Sequence, residues 1–378
     1  MKKDIPALTG LRFVAAFAIV LDHLWPVIFK FDRLATLNNA VHQLAYAGMT
    51  LFFVLSGFII HHNYAATVSS PGGLRQFFAA RFSRLYPLYA VVLLLDIWLL
   101  HPAVDWKLLR MLTMTQSWSY EFVGGHFLPL GYRYSVVAWS ISTEVFFYVV
   151  YPAVAAALRR IPAVSAAVVC APMCAALLWW CNTHPAAGGS ADFPLRDWLT
   201  YLSPYTRVLE FVTGCTIANL TRAPRSFPSR TVALLSAGYV GMFLCRGFIG
   251  VEWFSVGMLN VGLLLPIALL IFTVARYDTA PWLRRPFAVT MGNASYSMYL
   301  LHLIVVEQLA FSAPLADTSG NWTNAWTRFI VALLVIGAGS LLSHRYFEEP
   351  ARKWLRNRLS FTARVGTVGS HSPSRYSS

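Results

Sequence analysis

Ten apolar runs, each long enough at about 20 residues to cross about 30 Å of hydrocarbon, alternate with short polar stretches along this chain. They fall near 11–29, 45–63, 85–101, 137–158, 162–182, 199–220, 231–250, 254–275, 287–311 and 326–346. The pattern predicts an all-α fold, a polytopic bundle of about ten transmembrane helices; nine or eleven spans also fit. The first run is too long, and too poorly followed by a small-residue cleavage site, for a removable signal peptide, so it reads as the first span. The longest loop, 102–136, carries Trp106, Trp118, Phe122, Phe127 and Tyr132. It is expected to lie on or dip into the membrane interface.

Composition agrees, because 57% hydrophobic and only 12% charged residues leave too little polar surface to coat a soluble globule. With both termini placed in the cytoplasm, 20 of the 30 Lys and Arg residues fall on the inner side, which is the positive-inside bias. The net charge of +14 is then mostly a topology signal plus attraction to anionic lipid, and no nucleic-acid-binding module is expected. Residues 1–358 form the membrane domain. The Ser-, Thr-, Arg- and Gly-rich segment 359–378 lacks the apolar content to fold alone and is expected to be a disordered cytoplasmic tail. The five cysteines, Cys170, Cys174, Cys181, Cys215 and Cys245, are odd in number, sit in apolar segments and read as small core residues.

Ionisable residues inside the spans carry the chemical information, since each costs a few kcal/mol to insert and tends to face a protein interior or a cavity. Arg12 and His23 lie in the first span. Their eleven-residue separation turns a helix about 20° past three full turns and rises about 16 Å, so both share one face. Asp22 adjoins His23. In the second span Ser56 and Gly57 interrupt an apolar run, which suits close helix packing or a ligand's approach to backbone; the following His61 and His62 read as interfacial. Arg81 and Arg84, three apart at the inner end of the third span, could hold phosphates of a cytoplasmic acyl donor or anchor on anionic lipid. Glu144 lies among aromatics in the fourth span, where a carboxylate needs a partner. Arg207 and Glu210 can pair with each other in the sixth, and His302 lies in the ninth. Counted from the outer surface, His23, Glu144, Glu210 and His302 are expected to share one layer about 9–13 Å deep, as the lining of a polar cavity would.

The blocks LTGLRFVAAFAIVLDH, FFVLSGF, RFSRLYP, WSISTEVFFYVVYP, RVLEFVTGC, NASYSMYLLH and HRYFEEPAR, in that order over residues 5–355, make the chain resemble the acyltransferase 3 family of integral-membrane acyltransferases. The resemblance implies transfer of an acyl group, commonly acetyl from acetyl-CoA, to a hydroxyl of a carbohydrate or lipid-linked glycan in the plasma membrane of a bacterial cell envelope. It implies that Arg12 and His23 are the essential pair, that Arg81 and Arg84 are the donor-side arginines and that Glu144 is the matching buried acid. Asp22 departs from the uncharged residue the family often has beside its histidine. O-acylation needs a base for the hydroxyl proton, and imidazole is the usual choice near neutral pH, so His23 is expected to serve as the general base. Glu144 could orient an imidazole or bind acceptor hydroxyls, and Ser56 and Gly57 could contact the thioester. Arg207, Glu210 and His302 complete the expected pocket with Asp22. No metal site and no bound cofactor is expected; acyl-CoA is a co-substrate. The alternative is a secondary transporter of glycan or acyl intermediates, which would show repeated halves or broken helices at matched positions.

Overall fold

The computed structural model describes residues 5–29, 35–41, 43–100, 106–123, 126–129, 137–161, 198–221, 229–245, 256–312 and 322–368, with isolated positions between 162 and 197. The fifth expected span, 162–182, lies almost wholly outside the described residues, as do Cys170, Cys174 and Cys181.

In chain order the helices are α1 (Pro6–Ile28), α2 (Ala35–Val41), α3 (Leu44–Tyr64), α4 (Gly73–Leu100), α5 (Leu108–Leu112), α6 (Ala138–Arg160), α7 (Pro204–Leu220), α8 (Ser229–Cys245), α9 (Val256–Tyr277), α10 (Pro286–Asn293), α11 (Ser295–Ser312), α12 (Trp322–Ser343) and α13 (Glu349–Val368). Among the described residues, five stretches are long and apolar enough to cross a membrane: α1, α3, α4, α6 and the rod Thr323–Leu359 that runs from α12 into α13. The bent pair α10–α11 makes a sixth. The sixth to eighth expected spans correspond to α7, a helix of 17 residues, and to α8 and α9, whose described apolar stretches, Thr231–Gly241 and Gly262–Tyr277, are shorter than a span. A π-helical turn, His344–Glu348, joins α12 to α13. α13 continues to Val368, so the expected tail begins inside a helix, while 369–378 lies outside the described residues.

α1 starts where Ile5 is still extended and Pro6 takes the first helical position, a place where proline's missing N–H costs nothing. α3 is the central helix, running antiparallel to α1 with Gly48 against Ala15 and Ile19. On its other side it meets α7 at backbone distance. A Cβ on Gly57 would overlap the Phe211 carbonyl, and one on Gly214 would overlap the carbonyl of Val54. This is close packing through small residues. The N-terminal end of α1 packs on the 3₁₀ turn Pro281–Arg284, and α13 packs along α4, where Leu359 joins Arg75 and Phe78 around a groove. The start of α1 and the C-terminal helix therefore lie at the same end of the bundle.

The long loop is not featureless. Strands β1 (Tyr120–Val123) and β2 (His126–Pro129) form an antiparallel hairpin. The segment before it folds over the start of α6: Gln116 donates to Ala138 O at 2.8 Å, and the Trp118 indole N–H donates to Ser142 O at 3.1 Å. Gln116 and Ser117 are buried, so this part of the loop dips into the bundle.

Candidate active site

Five elements converge on one cavity of about 70 Å³. α1 contributes Arg12; α3 contributes Ser56 with Met49 and Phe52; α4 contributes Arg81 and Arg84; α6 contributes Ser140 and Glu144; and α11 closes the far wall with Ser295, Tyr296 and Tyr299. About 10–15 Å³ of space by this measure holds one water, so the cavity admits a group of several heavy atoms, an acyl or phosphate group among them.

Charge in the lining is unbalanced: three guanidiniums face one carboxylate. Glu144 is already engaged, its Oε1 accepting the Tyr148 hydroxyl at 2.6 Å and the Ser56 hydroxyl at 3.2 Å. Arg81 is held from two sides, its Nη2 donating to the Tyr64 hydroxyl at 2.8 Å and its guanidinium lying over the rings of Tyr64 and Tyr148, 4.6 and 5.8 Å from their centroids. Arg12 and Arg84 make no hydrogen bond or ion pair among the described residues. A second, more apolar cavity of about 420 Å³ shares Arg81 and Leu85 with the first and opens between α4, α6 and Leu359, toward the end of the bundle that holds the start of α1.

His23 does not line this cavity. It lies about 16 Å from Arg12 along α1 and meets His302 of α11, ring centroids 5.1 Å apart. The link between the two places is α11 itself, where Ser295, Tyr299 and His302 follow one another at spacings of four and three on one stripe. The first two line the cavity and the third is one turn beyond. Tyr299 closes the gap, its hydroxyl donating to Val137 O at 3.0 Å while accepting the Ser140 hydroxyl at 2.6 Å.

The hydrogen bonds of the histidine pair assign both tautomers. Nδ1 of buried His302 lies 2.7 Å from Tyr299 O, which can only accept, so Nδ1 carries a proton and Nε2 of the neutral ring is bare. Nδ1 of His23 lies 2.9 Å from Ile19 O and 3.3 Å from that bare Nε2, so it too carries the proton. With Nδ1 so engaged, the nitrogen of His23 open to a substrate is Nε2, on a side chain that is 31% exposed. Asp22 Oδ2 lies 3.9 Å from His23 Nδ1, from a side chain only 3% exposed.

Several expectations require correction. The four ionisable groups do not share a layer. Glu144 bonds Ser56 and Glu210 accepts from Thr50 at 2.8 Å, six residues and so about 9 Å apart along α3, while His23 lies beyond the Gly48 contact with Ile19. Only His23 and His302 meet. The physical reason is that helix ends set by hairpins, kinks and π-turns do not coincide with a flat surface. Gly57 does not line the cavity; it faces α7, and its carbonyl accepts the Cys215 thiol at 3.4 Å. Arg207 and Glu210 form a buried pair at 2.7 Å, with Arg207 also donating to Tyr201 O at 2.7 Å and lying over the Tyr201 ring. They face neither cavity. His61 is buried rather than interfacial, with Nε2 3.0 Å from Asn219 Oδ1.

Sequence reasoning passed over Ser140, Ser295, Tyr296, Tyr299 and Tyr148. A helical-stripe reading of NASYSMYLLH would have found Ser295 and Tyr299 with His302. It also passed over Glu348, which is buried on the π-turn and accepts the Ser297 hydroxyl at 2.7 Å.

Residues 5–345 match the acyltransferase domain of acyltransferase 3. The chain belongs to that family. It is an O-acyltransferase, and the transporter reading falls with that membership. Among its relatives are acyltransferase MdmB of Streptomyces mycarofaciens, 27% identical over 94% of this chain and 93% of that protein, and nodulation protein 10 of Rhizobium leguminosarum, 24% identical over 92% and 93%. Peptidoglycan O-acetyltransferase OatA of Listeria monocytogenes is 23% identical over 93% of this chain, which spans 56% of that longer protein. No solved structure matches the chain. This family member is a multi-pass membrane protein by its apolar helices.

Proposed function

We propose that this acyltransferase moves an acyl group, acetyl first among candidates, from acyl-CoA bound at the cytoplasmic side of a bacterial plasma membrane to a hydroxyl of a cell-surface or lipid-linked carbohydrate, with His23 as general base. The observation that carries the role of His23 is its proton placement: Nδ1–H is committed to Ile19 O and His302, leaving Nε2 able to take a proton. The relative named as a peptidoglycan O-acetyltransferase supports acetyl as the group and a glycan hydroxyl as the acceptor.

In this reading Nε2 of His23 removes the acceptor hydroxyl proton as the oxygen attacks the thioester carbonyl carbon. The C–O bond forms, the C–S bond breaks, and the CoA thiolate leaves with the proton returned by the imidazolium, giving ester and free thiol. The buried Asp22 carboxylate, 3.9 Å away, stabilises the transient imidazolium. Arg12, Arg81 and Arg84 hold the anionic end of the donor, and its pantetheine arm extends along α11 past Tyr299 to His23. Direct transfer is the simpler course: the carboxylate that accepts the Ser56 hydroxyl, Glu144, is already engaged by Tyr148, and Cys215 is packed against α3.

The test is transfer of labelled acetyl from acetyl-CoA by purified protein reconstituted with host glycolipid extract. Wild type should produce an alkali-labile labelled product, and His23→Ala should lower the rate by about 10²–10⁴-fold while retaining CoA binding. Equal rates for the two proteins would remove His23 from the chemistry.

A further inference from the structure

The membrane crossing that carries His302 is broken: α10 and α11 meet at Ala294 with a bend of 69°. The break starts a new 18-residue helix inside the protein, and Met298 N–H to Ala294 O at 2.9 Å is its first bond. The N–H groups of the first turn of a helix have no intrahelical acceptor and carry the positive end of the helix dipole. Ala294, at the break, has no side-chain oxygen to cap them. The first two residues of that turn, Ser295 and Tyr296, line the cavity that also holds Arg12, Arg81 and Arg84. Ser295 is fully buried, and its hydroxyl is without a hydrogen-bond partner.

A buried hydroxyl left unpaired costs free energy comparable to a lost hydrogen bond, so it marks a place where a partner belongs. The two unpartnered guanidiniums of Arg12 and Arg84 aim at the same volume. Glu144 is the one carboxylate in the lining, and it is turned to Ser56 and Tyr148; Glu348, behind the same turn, is turned to Ser297. Donor groups, dipole and net positive charge all ask for a compact anion with several acceptor oxygens.

We propose that the start of α11, with the Ser295 hydroxyl as its specific donor, is the seat of a phosphate of the CoA donor. This rests on the acyl-CoA reading above and adds to it a residue and a backbone element that arginines alone do not imply. From Ser295 to His302 is seven residues, about 10 Å along α11, which sets the span the pantetheine arm must cover.

The experiment compares binding of CoA, pantetheine and inorganic pyrophosphate to the full-length protein in nanodiscs, for wild type, Ser295→Val, Ser295→Ala and Ser295→Thr. Wild type should bind CoA, with pyrophosphate competing. Ser295→Val, which fills the seat and removes the donor, should lower the ratio of CoA to pantetheine affinity at least tenfold and abolish competition by pyrophosphate. Ser295→Ala should lower the ratio by about threefold, and Ser295→Thr should keep it within twofold. A packing role would weaken both ligands together and leave the ratio unchanged; that result, or wild-type CoA affinity in Ser295→Val, overturns the proposal. Wild type binding pyrophosphate but not CoA would remove the donor reading and leave an anion seat. Binding neither would remove both.

Discussion

Single side chains in this protein divide by whether their hydrogen bonds are closed or open. Arg207 and Glu210 are closed toward each other: the pair is buried, hydrogen-bonded to Thr50 and Tyr201 and stacked on aromatic rings, with Arg207 Nη2 and Glu210 Oε2 left without a hydrogen-bond partner among the described residues. Removing one partner strands the other charge, which costs about 3–5 kcal/mol. Glu210→Ala should therefore lose most folded protein in a thermal-stability assay, whereas Arg207→Met with Glu210→Leu should recover much of it with activity retained; an active, stable Glu210→Ala would contradict the structural assignment. If His23 is the base proposed above, His302 is a positioning residue, since its Nε2 meets His23 Nδ1 at 3.3 Å. His302→Ala removes one acceptor of the His23 Nδ1–H and leaves Ile19 O, a loss of about one net hydrogen bond. The expected outcome is about a tenfold drop in kcat with KM for acyl-CoA unchanged, and partial rescue by His302→Gln, whose amide oxygen can accept. Steady-state kinetics over the three proteins decides it, and a rise in KM without a change in kcat would place His302 in donor binding instead.

At the scale of elements, helix contacts rather than helix propensities decide where chemistry sits. α3 can hold Ser56 toward the cavity and Gly57 toward α7 because consecutive helical residues point about 100° apart. That division predicts different failures for adjacent substitutions. Gly57→Leu should prevent close approach to the Phe211 carbonyl and appear as poor folding in size-exclusion chromatography. Ser56→Ala should fold normally, its effect confined to kinetics because it frees one acceptor site on Glu144. Normal assembly of Gly57→Leu would show that the α3–α7 contact is looser than described. The break at Ala294 belongs to this scale as well. NASYS falls inside the apolar run 287–311, and nothing in its hydropathy announces a 69° bend; the bend follows from where α10 packs, with Gly292 against the Thr9 carbonyl of α1.

For the whole molecule, the site is drawn out along the membrane normal, from an arginine-lined cavity to a histidine pair roughly a half-bilayer away. Such a shape suits a donor from one side meeting an acceptor from the other. In a variant lacking the five native cysteines, Ile28→Cys beyond His23 should react with an impermeant thiol reagent added outside intact cells. Arg75→Cys, beside the second cavity, should react only after the cells are opened. The reverse pattern would invert the assigned topology and with it the side of donor entry.

Much of this architecture was legible in the residues. Apolar run length is a local property fixed by bilayer thickness, so the helical membrane class and the approximate places of α1, α3, α4 and α6 follow from the sequence. The stripe shared by Arg12 and His23 follows from helix geometry alone, and ordered motifs point to the family. Tertiary structure decided what lay between helices. Depth counted from sequence could not tell that Glu144 bonds Ser56 while Glu210 bonds Thr50, because tilt, a hairpin and π-turns displace each helix along its axis. Nor could it tell that Arg12 joins Arg81 and Arg84 while His23 joins His302, since the α1–α11 register depends on small residues packing at backbone distance. Periodicity is set within a helix by its own hydrogen bonds, whereas register between helices is set by the packing of every side chain at their contact.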